Sequence, residues 1–301
     1  MGEGSEGNMQ NNYFDEEIIQ IYSCFKELRQ SRGYTQKDVS DEVVSKDMIS
    51  KFERGANMLT ADKLFHAITN INMTPNEFMS TLNGFKPSKL QKLYDTLNNI
   101  RFSYPKSVVS AEELIVNDTK NKFNVLSNIM IKSVIQDVTG ENYVSSDEKT
   151  LVGNYLNGIE NWTTFELKLL YYVCPILDIG DVKWFGEILL ERRFHCFVGE
   201  NRSLTINVLM NLYDTVLDYQ DIEYADFFRK NIETFDISDN LNAIVNFRIL
   251  KDVHDYIVSR TNENFQNAIL YLDSIEKIGL TSIISYCKER LKKLAPPEPD
   301  I

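Results

Sequence analysis

The densest run of residues able to do chemistry lies between Thr35 and Gly55. Lys46, Asp47, Ser50 and Lys51 occupy positions i, i+1, i+4 and i+5 of a segment that reads as a short helix, capped by Ser45 and closed by Gly55. That spacing puts all four on one side of the helix's first turns. Ammonium groups there can donate to guanine O6 and N7, and a carboxylate can accept from cytosine N4. A hydroxyl can do either, so the set suits reading base edges in a duplex groove. A second cluster, Arg32, Gln36 and Lys37, surrounds the start of the preceding helix, whose free amides attract anions such as backbone phosphates. Farther along, Asn207, Asn211 and Asn246 stand inside helical segments that would otherwise favour stronger helix formers. Their amides both donate and accept, which suits capture of an extended peptide backbone. Catalysis finds no comparable set. His195-Cys196 is the one adjacent His/Cys pair, flanked by Phe194 and Phe197, and reads as a packed helix end. His66 and His254 stand singly, with no Gly-rich phosphate loop and no His-x-x-x-His pair. No catalytic residue, cofactor or metal site is expected.

The elements that must hold these side chains read as helices. From Asp15 onward Ile18, Ile21, Tyr22, Phe25 and Leu28 recur at helical spacing until Ser31-Arg32-Gly33. Thr35 then caps a helix over 36–43 and Ser45 one over 46–54, followed by helices at 60–70 and 75–82, the last with proline in its first turn. Val39, Val43, Ile49 and Phe52 are expected to face inward and set the angle between the second and third helices. The reading is a five-helix domain over 15–84, preceded at 1–14 by a disordered arm or expression remnant.

Past Gly84-Phe85-Lys86-Pro87 the chain reads as helix again, over 88–103, 106–115, 119–137, 145–159, 163–178, 181–193, 203–219, 221–234, 240–259, 263–278 and 280–294. Short breaks between them imply antiparallel hairpins. Pair starts at Thr163, Ser203 and Asn240 recur at roughly 40 residues, near the period of helical-pair solenoids. An all-α fold follows, with a second domain at 85–295 and a loose tail at 296–301.

Composition narrows the setting. A chain of 301 residues is long enough for two cores. Its formal charge of −12 excludes a generic polyanion binder, because non-specific affinity for nucleic acid comes from Lys and Arg neutralising phosphates. Residues 9–84 carry eight Lys+Arg against eleven Asp+Glu, so any DNA contact must be confined to one face. Cys24, Cys174, Cys196 and Cys287 lie far apart with no C-x-x-C spacing, which favours a reducing compartment. No apolar run approaches the ~20 residues of a membrane span, so a cytoplasmic protein without a membrane partner is expected.

The stretch Thr35 to Ser40, followed by Ser45 to Gly55, closely resembles the Cro-type helix-turn-helix consensus, with Leu28-Arg29 upstream and Leu59, Leu64, Ile68, Met73 and Phe78 downstream. The resemblance implies that Gln36 bonds a phosphate, that Arg29 pairs with Glu53 to set geometry, and that 46–54 enters a major groove. With a helical-repeat domain behind it, the chain from about Glu16 resembles the Rgg-type regulators of Gram-positive bacteria, which sense short signalling peptides. Trp162-Thr-Thr-Phe-Glu166-Leu-Lys-Leu-Leu170 and Asn246-Phe-Arg-Ile-Leu250 carry the match in the second domain. That likeness implies a homodimer on a palindromic double-stranded operator and a peptide held among the TPR-like repeats by Asn207, Asn211 and Asn246. It also implies that Tyr172, which stands where several relatives carry asparagine, lines the same groove. Tyr171, Tyr213 and Phe247 would supply apolar subsites, Trp162 and Glu166 would belong to the scaffold, and Cys24 or another cysteine could bridge subunits. Two other readings stay open from sequence: a helical-repeat scaffold with a vestigial DNA-binding domain, and a phage-like repressor that answers to no peptide.

Overall fold

The computed structural model describes residues 21–103, 111–117, 120–191 and 201–277, with 279, 284, 287, 288, 291 and 292, and every element among them is helical. The expected arm at 1–14, the start of the first helix, residues 106–110, His195-Cys196, most of 280–294 and the tail at 296–301 lie outside the described residues. Two compact units divide between Gln91 and Lys92.

The first unit contains α1 (21–31), α2 (Gln36–Val39), α3 (Lys46–Glu53), α4 (Ala61–Thr69) and α5 (Pro75–Leu82). Local chemistry starts these helices. The Thr35 hydroxyl accepts from the Asp38 N–H while the Asp38 carboxylate accepts from the Thr35 N–H; Thr74 and Glu77 repeat the exchange at α5, and Ser45 accepts from Met48 at α3. Phe25, Val39, Val44, Ile49, Phe52, Ile68 and Phe78 form the core. Phe52 sits edge-on to Tyr22 and Phe25 at 5.4 and 5.6 Å, and burying such a ring stabilises the unit by about 1.5–3 kcal/mol. Gly55 ends α3 at φ +69°, and a Cβ there would sit 3.1 Å from the Tyr22 ring, so both conformation and space demand glycine.

Helix α2 is shorter than its sequence predicts. It stops at Val39 instead of residue 43, Val43 is 48 % exposed, and Val44 fills the core in its place. The cause is Asp41, whose Oδ1 accepts from the N–H groups of Val43 and Val44 at 2.9 and 3.0 Å. Such a side-chain turn competes with the helix for the same backbone donors.

The second unit contains α6 (Lys89–Ser103), α7 (Lys122–Thr139), α8 (Ser146–Gly158), α9 (Thr164–Val173), α10 (Ile179–Glu191), α11 (Asn201–Asp218), α12 (Ile222–Ile232), α13 (Leu241–Ser259) and α14 (Asn262–Glu276). In α6, the unit's own residues begin at Lys92. Helices α7, α9, α11 and α13 pack side by side as one row, and α10, α12 and α14 form a second row against it. Hydrogen bonds repeat this lattice at nearly constant sequence separation. Thr164 donates to Asn201 and Asn240 to Ser203, both 37 residues apart; Asn211 reaches Tyr171 across 40 and Tyr213 meets His254 across 41. The unit is therefore a TPR-like α-solenoid.

Departures from the expected helices have local causes. The predicted helix at 163–178 breaks after Val173 into a 3₁₀ turn, Cys174–Ile176, because Pro175 cannot continue the α-helical bonding. Residues Gly84 to Pro87 mark where the chain leaves α5, but the units divide later, since Tyr94 stacks on Tyr172 and Arg101 bonds Asp137 at 3.1 Å. Trp162 is buried with its indole N–H on the Leu156 carbonyl, and buried Glu166 accepts from Thr163 and the Tyr155 hydroxyl, so both hold the repeat together. Gly186 is buried where α10 meets α12; a Cβ there would lie 2.3 Å from the Phe228 ring.

Candidate functional site

Helix α3 turns Ile49, Phe52 and Glu53 inward. The opposite side carries Lys46 and Asp47, both exposed, with Ser50 and Lys51 half-exposed. Lys51 Nζ lies 2.7 Å from Asp47 Oδ2 one turn away, an exposed pair of the kind worth only ~0.3–0.5 kcal/mol. Contact with a base would release Lys51 at little cost.

The base of α3 is fixed by a buried ion pair. Arg29 Nε donates to Glu53 Oε1 at 2.5 Å and Nη2 to Oε2 at 2.8 Å, while Nη1 donates to the Tyr34 carbonyl at 2.6 Å. Gln36 joins the pair, donating from Nε2 to Glu53 Oε2 at 2.9 Å. The amide at the start of α2 is thus oriented by the same carboxylate that orients Arg29, and its second N–H stays available. Gln36, Lys37 and Lys46 line one shallow depression with Tyr34 and Thr35, where Lys37 and Lys46 supply positive charge beside the free amides of α2. Arg32 is not part of that depression; its guanidinium reaches the Leu28 carbonyl at 3.4 Å.

Sequence reasoning missed one cluster here. His66 Nε2 lies 2.5 Å from Asp41 Oδ2, which also accepts from Asn70 Nδ2 at 2.9 Å. His66, with further hydrogen bonds, holds the Asp41 carboxyl well below the usual carboxylate range. With 25 and 29 residues between the partners, no local pattern could have signalled it.

In the second unit Asn207 and Asn211 lie one turn apart on α11, and Asn246 lies on the neighbouring α13; all three are half-buried. Asn211 Nδ2 donates to the Tyr171 carbonyl at 2.6 Å. The side chains of Asn207 and Asn246 make no hydrogen bond among the described residues. On α9, Tyr171 and Lys168 are likewise half-buried; the Lys168 ammonium sits 5.1 Å from the Tyr94 ring centre and its pKa is lowered by burial. Lys168 carried no sequence signal beyond its charge.

Tyr172 is not on that surface. It is fully buried, donates its hydroxyl to Asn98 Oδ1 at 2.9 Å, and has its pKa pushed up by burial. Packing against α6 makes it a core residue, which corrects the expectation that it lines a groove. Tyr213 and Phe247 are also buried, and only Tyr171 of the three expected aromatic subsites is half-exposed. Among the described cysteines, Cys24 and Cys174 are free thiols. Burial pushes the Cys174 thiol up to about 12 and raises that of Cys24, which lowers the thiolate fraction needed for disulfide exchange. Among the described residues no three His, Cys, Asp or Glu side chains gather to hold a metal ion, and no helix is long and apolar enough to cross a membrane.

Comparison with known proteins accords with this architecture. Residues 25–77 match the helix-turn-helix family, and residues 112–289, more than half of the chain, match the family described as HTH-type transcriptional regulator Rgg, C-terminal domain. Among solved structures, the SHP pheromone receptor Rgg2 of Streptococcus dysgalactiae is 19% identical with a TM-score of 0.73, covering 91% of this chain and 100% of its own. The PrgX/cCF10 complex is 17% identical with a TM-score of 0.64, covering 92% and 100%. A bacterial peptide pheromone/receptor complex is 16% identical, also with a TM-score of 0.64, covering 91% and 98%. By its sequence match and its fold, the chain belongs to the Rgg family of helix-turn-helix transcriptional regulators.

Proposed function

We propose that the chain regulates transcription as a cytoplasmic homodimer on a palindromic DNA site, under control of a short signalling peptide bound along the open side of the α9–α11–α13 row. Of the three similar structures described above, one is named a pheromone receptor, one a peptide pheromone/receptor complex and one the PrgX/cCF10 complex. The observation that carries the reading is the pair of half-buried asparagines, Asn207 and Asn246, whose amides have no hydrogen-bond partner among the described residues, while Asn211, one turn from Asn207, is anchored on Tyr171. Each such amide offers both a donor and an acceptor, which an extended peptide backbone can meet. Lys46, Asp47, Ser50 and Lys51 read base edges; Arg32, Gln36 and Lys37 hold phosphates; Arg29 and Glu53 keep α3 in place. Two α3 helices about 34 Å apart would match successive major grooves. Peptide acts by binding one arrangement of the dimer better than another, and the protein is a binding switch, not an enzyme.

The test is a DNA-shift titration on the upstream region of the protein's own gene, with and without short apolar peptides encoded nearby, at two salt concentrations. A specific shift altered by one peptide is expected. A specific shift that no peptide alters would favour the phage-like repressor, and the absence of any specific shift the scaffold.

A further inference from the structure

The turn between α2 and α3 is held by a residue that belongs to neither helix. Asp41 Oδ1 accepts from the N–H groups of Val43 and Val44, and the Asp41 N–H donates to the Val44 carbonyl at 3.0 Å. Its Oδ2 meets His66 Nε2 and accepts from Asn70 Nδ2, and both partners are on α4 or its cap. Asn70 Nδ2 also donates to the carbonyl of Val39, the last residue of α2, at 2.9 Å. One carboxylate and one amide therefore tie the end of α2, the turn and the last turn of α4 into a single network.

We propose that Asp41 is a positioning residue for DNA reading: through Asn70 and His66 it fixes the angle at which α3 presents Lys46, Asp47, Ser50 and Lys51. The inference rests on the DNA-binding reading above. Helix α2 is four residues long and buries only Val39, so its apolar packing restrains it weakly. Helix α4 is anchored by the fully buried Ala67 and Ile68 and can lend rigidity to whatever is bonded to it. Base-edge hydrogen bonds need a donor–acceptor distance near 2.7–3.2 Å and good alignment, so a shift of α3 by about 1 Å disrupts them. Phosphate contacts from flexible lysines tolerate such a shift. A positioning role therefore shows in selectivity more than in total affinity, whereas a role confined to turn stability shows in melting.

The experiment uses the full chain, a duplex that the wild type selects from a random pool, and a scrambled duplex at the same salt. Asn70→Ala cuts the amide's bonds to Asp41 and to the Val39 carbonyl while leaving the Asp41 turn and its contact with His66 intact. It should keep the wild-type helical circular dichroism and lose about tenfold affinity for the selected duplex, with affinity for the scrambled one unchanged within about twofold. Asp41→Asn and Asn70→Asp should each lose selectivity. Combining the two reverses donor and acceptor across the same gap and should recover part of it. A folded Asn70→Ala variant with wild-type selectivity, equal loss on both duplexes, or a double variant no better than its parents would overturn the proposal. A wild type that selects no duplex would overturn the DNA-binding reading and this inference with it.

Discussion

Replacing Arg29 with alanine should remove most of the stability of the helix-turn-helix unit. The Arg29 and Glu53 side chains are 7% and 2% exposed, and the substitution removes two bonds to the Glu53 carboxylate and one to the Tyr34 carbonyl. Glu53 is then left buried with Gln36 as its remaining hydrogen-bond partner. Breaking a buried pair in this way costs about 3–5 kcal/mol, mostly from the stranded charge. A unit of roughly 70 residues, at ~0.05–0.15 kcal/mol per residue, has about 3.5–10 kcal/mol in total. The pair itself contributes much less than the single substitution suggests, so Arg29→Met/Glu53→Met should be at least ~2 kcal/mol more stable than Arg29→Ala. The assay is urea unfolding followed by two probes. Both tryptophans, Trp162 and Trp184, are in the second unit, so their fluorescence reports the solenoid alone, while far-ultraviolet circular dichroism reports both units. Arg29→Ala should add an early dichroism transition that fluorescence does not see. A loss below ~1 kcal/mol, or a double variant no better than the single, would refute the stranded-charge reasoning.

Other substitutions probe the remaining steps. His254 is buried against Tyr213, and desolvation lowers its pKa below 6.5 despite the opposing charge of Asp226. Its contribution to stability is therefore present above about pH 6.5 and lost as pH falls through the folded-state value. The urea midpoint read by tryptophan fluorescence should fall between pH 7.5 and 5 more steeply in the wild type than in His254→Gln; parallel slopes would count against it. Gly186→Ala forces a methyl into the Phe228 ring and should destabilise the solenoid by about 1–3 kcal/mol, lowering the fluorescence midpoint without touching the first unit. Asn207→Ala and Asn246→Ala should weaken peptide binding in calorimetry with melting unchanged, whereas Asn211→Ala should lower both, because it also cuts the bond to Tyr171. Lys46→Ala should weaken DNA binding and, if it touches a phosphate, reduce the logarithmic salt slope by about one; an unchanged slope assigns Lys46 to bases.

Local chemistry in the chain was enough to read much of this protein. Thr35, Ser45 and Thr74 bond donors within their own first turns, Gly55 takes a backbone shape few other residues accept, and apolar residues three and four apart mark one side of each helix. The pair period was legible because equivalent helices begin at similar intervals, and the lattice of bonds 37 to 41 residues apart is the same interval seen in contact. The family likeness rested on the same short-range patterns. Tertiary structure decided what lies across from each residue. Asp41 ends α2 early and brings Val44 inside in place of Val43 while bonded to partners on α4. Tyr172 is a groove residue by the family likeness alone, yet α6, more than seventy residues earlier in the chain, covers it and supplies Asn98 as its partner. The division between units likewise follows the packing of Tyr94 and Arg101, not the glycine and proline that precede them. Helical periodicity records only the angle at which a side chain leaves its own axis; whether that direction meets solvent, an apolar neighbour or a charge depends on elements brought in from elsewhere in the chain.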